Sequence, residues 1–353
     1  MASRMCGKGC RARQGRASRD PASGTGGPRV SRPLVLASVI LSASLVGPKV
    51  AETHPTHHEG ARWAGPPAPT PSSVEIPLRV AHGWFIVPVV VDDSLSLEFV
   101  VDTGAGMSAV SRSTLDRLGR ASSSSVRAEG ASGSQELPVA RLGSLGLSGL
   151  RSFNLPVLVV EDDVLTPEVS GDPGSYDGVL GADLLSDYDV LLDPVGGVLR
   201  LLNPDEPSLD RLPVLAEPIP LWRIAGPILG HDVEINGSVM PAILDTGSRR
   251  VVVSPRGARN ARVEAWPGSA LSGQPGVGSR EVRWEDVDLE RVRAGTTELG
   301  AVAAQVGALP IFRSLGFADR AVVLLGNPAL RGCPVLISYR RETIRYCRTP
   351  DGG

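Results

Sequence analysis

The sequence predicts an all-β protein built from two copies of one β-rich lobe, behind a basic and apolar leader. Three observations carry that expectation. Short apolar runs are separated by turn residues throughout, with 41 glycines and 30 prolines among 353 residues. Two tripeptides recur at a fixed offset of 143: Ile76-Pro77-Leu78 as Ile219-Pro220-Leu221, and Asp102-Thr103-Gly104 as Asp245-Thr246-Gly247. Helical patterns are confined to short pieces.

In chain order, residues 1–50 form an export leader. Nine basic residues against one acid give this segment a net charge of +8, and the remaining 27 basic and 37 acidic residues give −10. The overall charge of −2 is therefore the sum of two unlike parts. Residues 33–47 are one apolar run behind the basic residues, the order of an export signal. The run is shorter than the roughly 20 residues of a membrane-spanning helix. A periplasmic or extracellular protein is expected, touching a membrane only through this segment if it is not removed. The other reading is a buried strand or helix behind a basic arm. Residues 51–75 read as a Pro- and His-rich tether. His54, His57 and His58 have no rigid second shell there, so neither a metal site nor a cofactor is expected.

The first lobe is expected over residues 76–203, a polar connector over 204–218, and the second lobe over 219–350. Within the first stretch the repeat runs without a gap, placing Asp93-Ser94 opposite Asn236-Gly237, a strong hairpin signal. Leu95, Leu97, Phe99 and Val101 alternate as in a half-buried strand. Downstream the offset becomes 145, pairing Gly133-Ser134 with Gly278-Ser279 and Val179-Leu180-Gly181 with Leu324-Leu325-Gly326. Val190-Leu191-Leu192 pairs likewise with Val335-Leu336-Ile337. Short helices are expected at 113–118, after the Ser254 cap and Pro255, at 182–186 and at 328–330. Two related lobes imply a pseudo-twofold axis with a cleft between them.

Each Asp-Thr-Gly follows an apolar strand end, which half-buries an aspartate. The glycine two residues on lets the backbone turn its N–H groups onto the carboxylate. The threonine hydroxyl can bond across to the other copy. If the pseudo-dyad brings the turns together, Asp102 and Asp245 become a carboxylate pair sharing one proton. The ionised member can deprotonate water and the protonated member can polarise a carbonyl, which is equipment for hydrolysing an amide.

These residues resemble the retropepsin-like aspartic proteases, in the fused two-lobe form that includes the bacterial gag-polyprotein-type enzymes. The resemblance rests on apolar-apolar-Asp-Thr-Gly in both copies, each followed by an apolar-apolar-Gly motif 79 or 81 residues later. It spans roughly residues 75–347. It implies two β-barrel lobes with short helices, a catalytic pair of Asp102 and Asp245, and supporting roles for Thr103, Gly104, Thr246, Gly247 and Ser248. It also implies a glycine-rich flap. By position the flap candidates are 129–134 with Gly130 and Gly133, and 274–279 with Gly276 and Gly278; ordinary surface loops are the other reading. No flap tyrosine is present, as in the retroviral branch.

The copies differ after the glycine, Ala105 against Ser248. The serine hydroxyl is expected to bond its own aspartate. Arg249 and Arg250 follow, and a guanidinium near the pair would lower its working pKa. The charged run 280–291 reads as a solvated strand pair or as a binding edge.

Cys6 and Cys10 lie in the leader, while Cys333 and Cys347 flank two β-rich runs and could form a disulfide or remain two buried thiols. The function expected is an exported aspartic endopeptidase acting on peptides or proteins. The alternative is an inactive peptide-binding or scaffold protein that keeps the fold. A nucleic-acid partner is disfavoured by the charge of −10 after the leader. Both half-sites lie in one chain, so a monomer suffices.

Overall fold

The computed structural model describes residues 42–43, 73–166, 175–205, 215–273, 276–278 and 280–348. Apart from Ser42–Ala43, the leader lies outside these residues, as does the tether up to residue 72 with its histidines. Two similar β lobes face each other, each built around one large sheet, and a third sheet joins them.

The first lobe winds Arg79–Ala81, Trp84–Val91, Leu95–Val101, Ala109–Ser111, Ser124–Gly130, Gly133–Leu147, Leu150–Val160 and Gly178–Leu180 into one sheet. The second lobe repeats this with Trp222–Ala225, Ile228–Ile235, Ser238–Leu244, Val251–Val253, Leu271–Gly273, Val282–Ala294, Thr297–Gly307 and Val323–Leu325. The charged run 280–291 falls largely in one of these strands. It buries Val282, Trp284, Val287 and Leu289, while Arg283, Asp288, Glu290 and Arg291 are exposed. Its charges form the outer face of a half-buried strand.

The repeat is not gapless between residues 76 and 102. Val91 pairs with Leu95 across a three-residue loop, whereas Ile235 pairs with Ser238 across the two-residue Asn236-Gly237 turn. A register shift between Arg223 and Ala225 supplies the compensating residue. The offset is therefore 144 along the intervening strand, and Trp84 corresponds to Ile228.

Ser111 and Ser254 cap the helices Arg112–Arg117 and Pro255–Asn260, each hydroxyl accepting a backbone N–H three residues on. A helix over Ala182–Leu185 and a 3₁₀ turn over Asn327–Ala329 follow the two glycine motifs.

The joining sheet takes three strands from each lobe. Its order is Ile219–Pro220, Thr343–Tyr346, Val335–Ser338, Asp189–Asp193, Val198–Leu202 and Ser73–Pro77. Val335–Ser338 and Asp189–Asp193 meet antiparallel at its centre, which is how a pseudo-twofold sheet closes. The fully buried Asp189 is bonded across this seam by Arg341. Nearby, the Tyr346 hydroxyl and His231 Nε2 lie 2.7 Å apart, and His231 Nδ1 lies 3.0 Å from the Asp232 carbonyl. Donation from Nδ1 to that carbonyl leaves Nε2 to accept from the tyrosine. Burial pushes the His231 pKa down to about 4, so the ring is neutral.

Candidate active site

The strands Leu95–Val101 and Ser238–Leu244 each end directly before an aspartate. Each is flanked by a parallel strand carrying the glycine motif, in register Leu180 with Val101 and Leu325 with Leu244. That strand fixes the aspartate backbone: Asp102 N–H donates to the Leu180 carbonyl at 3.0 Å and Asp245 N–H to Leu325 at 3.2 Å. A Cβ on Gly326 would lie 2.1 Å from the Arg250 carbonyl, so the motif's glycine is set by close backbone approach.

The threonines lock the two turns to each other reciprocally. Thr103 N–H donates to Thr246 Oγ1 at 2.9 Å, and Thr246 N–H donates to Thr103 Oγ1 at 3.2 Å. Each hydroxyl then donates to a carbonyl of the opposite strand, Thr246 to Val101 at 2.8 Å and Thr103 to Leu244 at 3.3 Å. The turns thereby cross face to face. A Cβ on Gly104 would lie 2.9 Å from the Asp245 carboxyl carbon, and one on Gly247 would lie 2.1 Å from Asp102 Oδ2. Neither position has room for a side chain.

Asp102 and Asp245 are both fully buried, and they face each other across Gly104, where a Cβ would lie 2.9 Å from Asp245 Oδ1 and 3.2 Å from Asp102 Oδ1. Burial raises both pKa values, and for Asp102 the charge of Asp245 raises it further. One proton between the two carboxyls relieves that repulsion. Oδ1 of Asp102 accepts the Gly104 and Ala105 amides at 2.8 and 3.0 Å. Asp102 Oδ2 and both Asp245 oxygens have no protein donor in hydrogen-bond geometry.

Sequence comparison gives the same answer as the geometry. The profile of the aspartyl protease family matches residues 87–184 and 231–329, together more than half of the chain and one match per lobe. The chain belongs to the aspartyl protease family. No curated protein matches the sequence significantly.

One expectation about the second turn needs correction. Ser248 Oγ donates to the Arg250 carbonyl at 2.9 Å, not to Asp245, because the chain curls back over the hydroxyl immediately after the turn. The Arg249 guanidinium lies 4.5 Å above the Trp84 ring, and burial is the largest influence on both carboxyls.

Of the two flap candidates, residues 129–134 form the tip of a true hairpin, with Gly130 opposite Gly133. In the other, Gly276–Gly278 are described, whereas Gln274, Pro275 and Ser279 lie outside the described residues. The tips touch. Ser132 N–H donates to the Val277 carbonyl at 3.1 Å and Arg280 N–H to the Ser132 carbonyl at 3.0 Å. Val277 is buried among Trp84, Ile86, Ala105 and Leu137 of the first lobe. A Cβ on Gly130 would lie 2.2 Å from the Val277 carbonyl, and one on Gly278 2.3 Å from the Ser132 carbonyl carbon. Contact between the tips requires these glycines.

Three neighbours of the pair escaped the sequence reading. Trp84 Nε1 donates to the Gly247 carbonyl at 2.7 Å. Asn327 Nδ2 donates to the Thr246 carbonyl at 2.8 Å and to the Gly83 carbonyl at 3.0 Å. Tyr339 is buried with its hydroxyl unpartnered, and its pKa is raised by burial and by the nearby Asp102. Asn327 had a visible signal, since it replaces Ala182 beside an otherwise repeated glycine. Trp84 and Tyr339 had none.

Cys333 and Cys347 are disulfide-bonded, with Cα atoms 5.4 Å apart, at the ends of the hairpin Val335–Ser338 and Thr343–Tyr346. Among the described residues, no His, Cys, Asp and Glu cluster is arranged to hold a metal. No helix among them is long and apolar enough to cross a membrane.

Proposed function

We propose that this chain is an exported aspartic endopeptidase in which Asp102 and Asp245 activate one water against a peptide carbonyl. The observation that carries the reading is the buried carboxyl pair, with three of its four oxygens lacking a protein donor. Oxygens in that state are available to a water and to a substrate.

The ionised carboxylate takes a proton from the water as its oxygen attacks the carbonyl carbon. The protonated carboxyl gives its proton to the carbonyl oxygen. The tetrahedral product then collapses: one carboxyl protonates the leaving nitrogen while the other recovers a hydroxyl proton, restoring the shared proton. Substrate entry requires the flap tips to part, breaking the Ser132 bonds to Val277 and Arg280. Polypeptide is the substrate class that suits a cleft between two β lobes, and the net charge of −10 over residues 51–353 disfavours nucleic acid. Export is supported by the basic-then-apolar leader and by a disulfide suited to an oxidising compartment.

The test is digestion of an unfolded, carboxymethylated protein from about pH 3 to pH 8, spanning the carboxyl range, with fragments identified by mass spectrometry. Wild type should release internal fragments, and Asp102→Asn and Asp245→Asn should release none. Folded wild type that cleaves at no pH in this range would remove the catalytic reading and leave the peptide-binding one.

A further inference from the structure

We propose that Trp84 and Asn327 are positioning residues of the Asp245 turn, holding its two carbonyls from behind so that its amides face the Asp245 carboxyl. This rests on the reading of Asp102 and Asp245 as the catalytic pair.

The two turns are stabilised differently. In the first, the Gly104 and Ala105 amides bond Asp102 Oδ1 at 2.8 and 3.0 Å, so the turn closes on its own side chain. In the second, the Gly247 and Ser248 amides lie close enough to favour the ionised Asp245 but outside hydrogen-bond geometry. The buried donors sit on the opposite side of the peptides, Asn327 Nδ2 on Thr246 O at 2.8 Å and Trp84 Nε1 on Gly247 O at 2.7 Å.

The covalent order gives these contacts their meaning. The Thr246 carbonyl shares a peptide plane with the Gly247 amide, and the Gly247 carbonyl shares one with the Ser248 amide. A donor on a carbonyl fixes its plane and polarises the N–H at the other end. Those same two amides favour the ionised form of Asp245.

The supports are themselves held rigidly. Trp84 is fully buried, meets Tyr176 edge-on at 5.5 Å, and carries Arg249 over its face at 4.5 Å. Asn327 also bonds the Gly83 carbonyl at 3.0 Å, tying the Trp84 hairpin of the first lobe to the second lobe's turn. The repeat lacks the device on the other side. Ile228 and Ala182 occupy the positions equivalent to Trp84 and Asn327, and neither has a side-chain donor.

Trp84→Phe keeps the ring and removes only the N–H. Asn327→Leu removes the other donor at similar volume. Both leave the charged and titratable groups around the turn unchanged: Asp102, Tyr339, and Arg249 above the indole. The readout is carboxyl ¹³C NMR of aspartate-labelled protein across pH, with thermal melting as a control. Each variant should raise the upper pKa of the pair by about half a unit or more, since weaker amides support the Asp245 charge less. Melting temperatures should stay within a few degrees. In turnover, kcat should fall about tenfold with KM within about twofold, as expected for misalignment at the reacting atoms. An unchanged titration in whichever variant remains folded overturns the inference. The titration does not depend on turnover, so a wild type that cleaves nothing would end the catalytic reading while the positioning claim is still decided.

Discussion

The Asp102 turn closes on its own carboxylate through the Gly104 and Ala105 amides, whereas the Asp245 turn is held at its carbonyls by Trp84 and Asn327. Between them lies a strictly reciprocal part, the crossed bonds of Thr103 and Thr246. Duplication has thus kept the atoms at the dyad alike and let the surrounding support diverge. A single chain permits this. Two identical subunits would have to place the same residue behind both turns, while fused lobes can assign a tryptophan to one side only.

The largest stability effect is expected where the lobes join. Arg341→Ala leaves the fully buried Asp189 without its partner, and because the arginine itself is exposed the loss is about 3 kcal/mol, that of a buried acceptor left unpaired. Urea unfolding should show that loss, and a change under about 1 kcal/mol would mean that water reaches Asp189.

The lobes also differ in their buried titrating groups. The first lobe holds Asp183, whose pKa burial raises to about 6 against two bonds from Ser108. The second holds His231 at about 4. For His231 the unfolded chain binds a proton below its ordinary pKa of about 6.5 that the folded chain refuses until about 4. Stability is therefore complete above pH 6.5 and lost as pH falls toward 4. Relative to His231→Gln, wild type should lose about 3 kcal/mol across that window. For Asp183 the sign is opposite, with stability lost as pH rises from about 3.8 to about 6. Asp183→Asn should therefore steepen the acid-side loss, measured by denaturation at each pH. Parallel stability curves for all three proteins would contradict both assignments.

The smallest effect tests the symmetric part. Thr103→Val and Thr246→Val each leave the opposing buried amide without its acceptor, a loss of about 1–3 kcal/mol. The two losses should be nearly equal. Unequal losses would show that the divergence of the turns extends into the grip itself.

Much of this arrangement was legible in the sequence, because repetition makes local chemistry visible twice. The paired Asp-Thr-Gly turns, their glycine motifs and the capped helix at Pro255 are local patterns, and each forms as its residues require. Other features depend on which strands meet. Ile224 and the Asn236-Gly237 turn make two opposite one-residue changes that cancel in the sequence, so the copies align without a gap while the strand between them is displaced. Arg249 packs its guanidinium over the Trp84 ring, a contact across the lobes that its place after the turn does not announce. Trp84 is 163 residues from the carbonyl it bonds, and no periodicity reports such a contact.

The claim on which everything else rests is that one carboxyl from each lobe acts with the other as a unit. The direct measurement is kcat/KM for wild type, Asp102→Asn, Asp245→Asn and the double variant on one peptide substrate. Each single variant should lose at least about 10³-fold, by similar factors, and the double variant should be no worse than either single one. Losses that add in the double variant, or one single variant that stays active, would contradict a shared pair.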